Sequence, residues 1–202
     1  MITIQKINGN VNLDVYKQIA AIHKQEINSG FLSGFNNKFL IYLYKAIAGS
    51  SYSFLYVALQ EQTVVGFICG STETRKLYRY FLLHYWVLVW PYIFKKTFSF
   101  KNLTKMIEIL IYPKHKSQIK LPNSEILNFC VNSKAQRQGI GQKLFKSLVG
   151  EFKERSIAKI KIITGANQLK AQRFYEKLGA NLVSSIELHK GVTSLVFLYK
   201  LV

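Results

Sequence analysis

The chain has 202 residues, about one domain's worth, and its 49% apolar content includes 14 Phe, 12 Tyr and 2 Trp, so it can bury a core and is not disordered over most of its length. Cys69 and Cys130, both in apolar strand-like runs, exclude a disulfide framework or a cysteine-rich metal site, and the opening MITIQKINGN lacks a secretory pattern, so a reducing cytoplasm is the expected compartment. Twenty-eight Lys and Arg against ten Asp and Glu leave +18, which points to an anionic partner (phosphate, acidic metabolite, nucleic acid or an anionic membrane face) or to a solvated lysine-rich surface.

Residues 2–7 predict an opening strand, and Val15, Ile19 and Ile22 recur at helical spacing behind Asp14, which is placed to cap a first helix. Asn36 precedes Leu40, Leu43, Tyr44 and Ile47, an i, i+3, i+4, i+7 stripe that ends at Gly49 and predicts a second helix. The β-rich runs 53–60 and 64–71, joined by Glu61-Gln62-Thr63, predict an antiparallel hairpin. Strands are expected at 126–131 and 157–164. Between them Ile140, Leu144, Leu148 and Phe152 repeat every four residues, which makes a β-α-β unit. Ala171, Phe174, Tyr175 and Leu178 predict another helix, ended by Gly179, and 181–189 and 192–201 close the chain as strands around a Lys190-Gly191 turn.

Residues 74–124 break this rhythm, because about 50 residues between two strands is too long for a loop without structure of its own. Positions 75–120 hold ten Lys and Arg against Glu108 alone, with aromatics interleaved. The uncharged run 80–94, 15 residues long, spans about 22 Å as helix, short of the ~30 Å of bilayer hydrocarbon. A single crossing would also put neighbouring strands of one sheet on opposite sides of a membrane. Two helices are predicted instead, at 76–90 and 102–111, the second with Leu103, Met106, Ile107 and Leu110 on one face.

The window 124–145 carries the chemistry: a β-rich run, a polar turn, then Gln136-Arg137-Gln138-Gly139-Ile140-Gly141 opening a helix. The first amides of a helix lack internal partners and carry the positive end of its dipole, so this is an anion site. Gly139 and Gly141 let an oxygen-rich group approach the backbone, and Arg137 adds a fixed charge. The pattern is neither a Walker loop nor a six-position dinucleotide fingerprint. His23, His84, His115 and His189 show no metal spacing, and Cys130 lacks a neighbouring histidine in sequence and lies in an apolar strand that raises a thiol's pKa, so neither a metal centre nor a cysteine nucleophile is expected.

Gln136 to Gly141 resemble the Gln/Arg-x-x-Gly-x-Gly/Ala signature of the GNAT superfamily of acetyl-CoA-dependent acyltransferases. Ala171, Tyr175 and Gly179 keep the spacing of that family's Asn-x-x-Ala-x-x-x-Tyr-x-x-x-Gly helix. Gln168 stands at the Asn position and Asn167 lies one residue earlier, which leaves open which amide meets the pantetheine arm. The resemblance implies one α/β (α+β) domain over 1–202, a central mixed sheet of six to seven strands flanked by helices, with 74–124 as a helical insertion between the third and fourth strands. It implies acetyl-CoA as cosubstrate, without metal, in a gap where the fourth and fifth strands splay. The pyrophosphate would lie on the amides of 136–141, and the thioester carbonyl near the backbone of Cys130 and Val131. Glu125 is the implied base, acting directly or through water, with burial lifting its pKa toward neutrality. Tyr175 would protonate the departing thiolate, and His23 with the Phe31-Leu32 turn would line an acceptor pocket between the first two helices.

The function implied is acetyl transfer to the primary amine of a small molecule, an amino sugar for example, by direct attack in a ternary complex. Residues 74–124 could instead hold such an enzyme on the inner face of an anionic membrane, acting on a lipid- or nucleotide-linked sugar, or could cover the active site or a partner subunit in a homodimer. A non-catalytic nucleic-acid-binding or coenzyme A-binding module is a further alternative. Nucleic acid is the weaker of these, because the most basic segment is also the most apolar.

Overall fold

A two-residue turn sets the first half of the sheet. Glu61 and Gln62 both take positive φ, 48° and 69°, the handedness that matches the twist of a tight hairpin. Thr63 therefore already belongs to the second strand rather than to the turn. In this computed structural model, which describes residues 1–27, 32–96, 121–189 and 192–201, the elements in chain order are β1 (Ile2–Ile7), α1 (Leu13–Glu26), α2 (Asn37–Gly49), β2 (Ser53–Gln60), β3 (Thr63–Ser71), α3 (Thr74–Lys96), β4 (Glu125–Val131), α4 (Ile140–Glu154), β5 (Lys159–Gly165), α5 (Leu169–Lys177), β6 (Asn181–His189) and β7 (Val192–Lys200). The strands form one mixed sheet in the order β1-β2-β3-β4-β5-β7-β6. All neighbours are antiparallel except β4 and β5.

The sheet is covered on both faces. One core cluster gathers α1, α2 and α3 on side chains such as Leu55, Val57, Phe67 and Cys69. The other packs Ile140, Leu144, Leu148 and Phe152 of α4 and Tyr175 of α5 on Phe54, Ile68, Ile126, Ile160 and Ile162. The four-residue repeat on α4 is thus the stripe that this helix buries. The expected α/β architecture, with a helix between the third and fourth strands, is the one observed.

Local chemistry moves several boundaries. The cap of α1 is Asn12 rather than Asp14: the Asn12 side chain accepts the Asp14 N–H at 3.0 Å, while the Asp14 carboxylate accepts from Gln18 at 2.7 Å. Asn36 does cap α2, through the Phe39 N–H at 3.0 Å. Ile157 closes the end of α4 by donating to Phe152 O at 3.0 Å, so β5 starts two residues later than its apolar run suggests. The first insertion helix, α3, runs through Pro91 to Lys96 instead of stopping at residue 90. A proline costs a helix one donor, and here Tyr92 beyond it packs against the first core cluster. The predicted helix 102–111 and the Lys190-Gly191 turn lie outside the described residues.

Candidate active site

Strands β4 and β5 pair only at Glu125↔Lys161 and Ile126↔Ile162, then part. On β5, Ile163, Thr164 and Gly165 keep their partners on β7, so the edge facing β4 is open there. On β4, the register with β3 slips between Cys69↔Asn128 and Gly70↔Ile126, which leaves Leu127 as a bulge. Beyond the bulge Asn132 N–H donates to Val65 O at 2.9 Å. Antiparallel pairs alternate between exchanging and not exchanging bonds, so Cys130 bonds Phe67 on β3, while the backbone groups of Phe129 and Val131 point toward the gap. The expected Cys130 amide is therefore already committed within the sheet, and the amides of this strand that face the gap are those of Phe129 and Val131. Composition gives no hint of this, because the parity depends on where the bulge falls.

The polar turn ends the same gap. Gln136 Nε2 donates to Val131 O at 2.9 Å and folds the turn back on β4. Arg137 has φ 63° and Gly139, the residue before α4, φ 74°. The left-handed form is free for glycine but costs an arginine of order 1 kcal/mol, so the turn is held by its surroundings. Among the described residues no side chain caps α4, and its first internal bond is Lys143 N–H to Gly139 O at 3.1 Å. The amides of Ile140, Gly141 and Gln142 thus have no intrahelical acceptor. Arg137, Gln138 and Gly139 are exposed beside them, and a Cβ on Gly139 would meet nothing within 4 Å. An uncapped helix start behind an open glycine fits a diphosphate, and the parted strands fit the arm attached to it.

At the closed end of the gap Glu125 is buried in an ion pair with Lys161, Oε2 to Nζ 3.3 Å, the two side chains being 10% and 7% exposed. Thr74, the first residue of α3, donates to the same carboxylate oxygen at 3.3 Å, and Lys161 also donates to Pro122 O at 3.0 Å. The ammonium favours the ionised carboxylate and opposes the lift toward neutrality expected from burial alone. Tyr78, one turn along α3, has its hydroxyl pKa raised by burial and then by the charge of Glu125. Sequence reasoning missed Lys161, Thr74 and Tyr78. The available signal was a lysine in a strand that both faces of the sheet must cover, since such a charge needs a partner.

A model of the acetyltransferase (GNAT) family matches residues 105–180, a stretch that includes the turn, α4, the gap and α5. This part of the chain resembles the GNAT family in sequence. A bS18-alanine N-acetyltransferase of Escherichia coli K12 is 32% identical over 65 residues, 32% of this chain and 44% of that relative, so the match spans less than half the relative's length. Among solved structures, Ard1 from Thermoplasma volcanium aligns over 100% of this chain and 98% of its own at 14% identity and a TM-score of 0.62. An aminoglycoside 6'-acetyltransferase type Ii aligns over 99% and 97% at 14% identity and 0.63. At such identities these two show the GNAT fold alone.

The remaining GNAT positions fall as follows. Tyr175 is buried on α5 with its ring 6.3 Å from both Phe129 and Phe145, and burial, then Cys69, raises its hydroxyl pKa. Of the two amides left open, Gln168 Oε1 accepts the Gly165 N–H at 3.1 Å, whereas Asn167 is exposed. His23 lies wholly within the core, Nδ1 2.6 Å from the Tyr44 hydroxyl, and burial, then Lys24, lowers its pKa to about 4. With no surface of its own it lines no open pocket among the described residues, and Phe31 lies outside them. An open groove runs instead past Lys24, Gly34, Asn36, Lys38 and Tyr92. Cys130 is buried and its thiol pushed up to about 12, by burial and then Glu26, which leaves it inert as a nucleophile. Among the described residues no group of three or more metal-binding side chains assembles.

Proposed function

We propose that this chain transfers the acetyl group of acetyl-CoA to the primary amine of a small molecule, amino sugars included, by direct attack in a ternary complex within a reducing compartment. The observation that carries the reading is the meeting, at one end of the sheet, of parted strands with inward amides and an uncapped, glycine-opened helix. The Gln136 amide donates to Ser133 O, so the amides of residues 137–141 and the Arg137 side chain would hold the diphosphate, Asn167 and Gln168 would flank the pantetheine path, and the Phe129 and Val131 N–H groups would receive the carbonyl oxygen as charge develops on it.

An amine with pKa near 10 is protonated at pH 7, and removing that proton accounts for about 4 kcal/mol. Glu125, paired with Lys161, would take it directly or through water. The nitrogen lone pair then forms the C–N bond while the C–S bond breaks. The Tyr175 hydroxyl, which burial keeps protonated, would give its proton to the sulfur, and the second proton, shed by the nitrogen as it becomes an amide, would pass through solvent to restore that hydroxyl. The likeness to the bS18-alanine N-acetyltransferase of Escherichia coli favours a second acceptor class, the amino terminus of a protein.

The test is titration of acetyl-CoA into the full chain by calorimetry, followed by free-thiol release with amino sugars, polyamines and alanine-ended peptides as acceptors. Binding with turnover on the amino sugars supports the first reading, and turnover on the peptides alone selects the second. Binding with no turnover on any amine leaves a coenzyme A sensor, and no heat on titration removes the proposal, including its account of the glycines.

A further inference from the structure

The outward face of α3 has no part in that chemistry. Arg79, Leu83, Trp86, Val87 and Trp90 fall at i, i+4, i+7, i+8 and i+11, one stripe of the helix, with Arg75 and Lys76 a turn before. The four apolar members are 72%, 57%, 64% and 51% exposed in chain order, and the three cations are exposed too. The opposite face is already spent inside the protein: Leu77, Phe81 and Val89 are buried, Phe81 edge-on to Phe39 at 5.7 Å and Tyr85 against Tyr42 at 6.1 Å. A helix apolar on both faces is expected to be covered on both, and large exposed apolar patches mark binding surfaces.

Charge selects what covers it. From 74 to 96 there are five Lys and Arg and no acidic residue, within a chain of net charge +18. A second copy docked through this stripe would set Arg75, Lys76 and Arg79 against their own kind. A nucleic acid would satisfy the cations and leave Leu83 and Val87 wet. A bilayer with anionic headgroups accommodates every member: tryptophan rings at headgroup level, Leu and Val beneath them, and Arg and Lys reaching to phosphate. No helix among the described residues is long and apolar enough to cross a membrane.

We propose that the face of α3 from Arg75 to Trp90 docks this protein on an anionic lipid surface, with the helix lying in the plane of the headgroups. Contact over about 22 Å of helix, with three cations, makes the attachment peripheral and salt-sensitive. It is independent of the acyltransfer reading, because lipid binding is measured without acetyl-CoA.

The chain's two tryptophans, Trp86 and Trp90, both sit on this face, so intrinsic fluorescence reports the site itself. The full chain is mixed with vesicles of phosphatidylcholine alone, or with roughly one-third phosphatidylserine, then floated on a gradient. The expected result is a blue shift and flotation with the anionic vesicles at low salt, both weakened as salt rises. The triple variant R75Q/K76Q/R79Q should partition about a hundredfold less, at about fivefold per cation. L83S/V87S should lose the blue shift, with circular dichroism and melting unchanged in both variants. No flotation, or flotation indifferent to phosphatidylserine and to the triple variant, overturns the proposal. A blue shift that grows with protein concentration in the absence of lipid overturns it in favour of a second copy.

Discussion

The pairing of Glu125 with Lys161 can be separated from the proposed role of Glu125 as base by a three-variant cycle: E125Q, K161M and E125Q/K161M. Both side chains are at most 10% exposed and lie 3.3 Å apart. Removing one member of a buried ion pair costs about 3–5 kcal/mol, because the survivor stays charged and desolvated, while replacing both is often neutral. Lys161 keeps the Pro122 carbonyl at 3.0 Å and Glu125 keeps the Thr74 hydroxyl at 3.3 Å, so the lower end, about 3 kcal/mol for each single variant, is expected. For a chain of this size that is a fall of roughly 6–12 °C in melting temperature. The double variant should fall well short of the ~6 kcal/mol sum, with a coupling of about 2–3 kcal/mol. Activity should divide differently. E125Q and the double variant lose about 10²- to 10⁴-fold in kcat with acetyl-CoA binding retained. K161M removes the charge that favours the carboxylate, so its pKa rises and the acid limb of the pH–rate profile moves up by about 1–3 pH units, with activity regained at alkaline pH. The reasoning fails if K161M loses as much kcat as E125Q at every pH, or if the two stability losses simply add.

Three further outcomes are expected. Tyr175→Phe should cut kcat about tenfold or more while changing stability by under about 0.5 kcal/mol, because no hydrogen bond to that hydroxyl occurs among the described residues; initial rates beside thermal melts check both halves. Gly139→Ala puts a Cβ at φ 74°, which should cost about 1 kcal/mol and weaken acetyl-CoA binding measured by calorimetry about tenfold. His23 titrates at about 4 when folded against 6.5 when free, so the unfolded chain binds its proton first. Stability should be whole above pH 6.5, fall as pH drops toward 4, and lose about 3 kcal/mol in all by that point; urea titrations at stepped pH should show this loss flattened in His23→Gln.

What the sequence disclosed was whatever depends on neighbours within a few residues. The repeat on α4, the hairpin of β2 and β3 and the glycines before α4 follow from local period and backbone freedom, and the structure has each. Asn12 and Asp14 are both acceptors ahead of the same apolar stripe, and only the geometry of the chain's entry chooses between them. Pro91 reads locally as a stop, but the tertiary contact of Tyr92 outweighs one lost donor. The inward amide of Phe129 needs the bulge at Leu127, and the partner of Glu125 lies on β5, so neither has a local signature.

The insertion was legible in composition but not in its relation to the site. Thr74 begins α3 and donates to both Asn123 O and Glu125 Oε2 at 3.3 Å. Arg75, the next residue, belongs to the outward basic stripe. Successive residues of a helix lie 1.5 Å apart along its axis and about 100° apart around it. The same first turn can therefore bond the proposed base on one side and a headgroup on the other. A lipid surface that shifts α3 along its axis by even one residue's rise would stretch the Thr74 contacts past hydrogen-bond length. Vesicle binding should consequently change the pH–rate profile through Glu125, and Thr74→Val should abolish that change while leaving flotation intact.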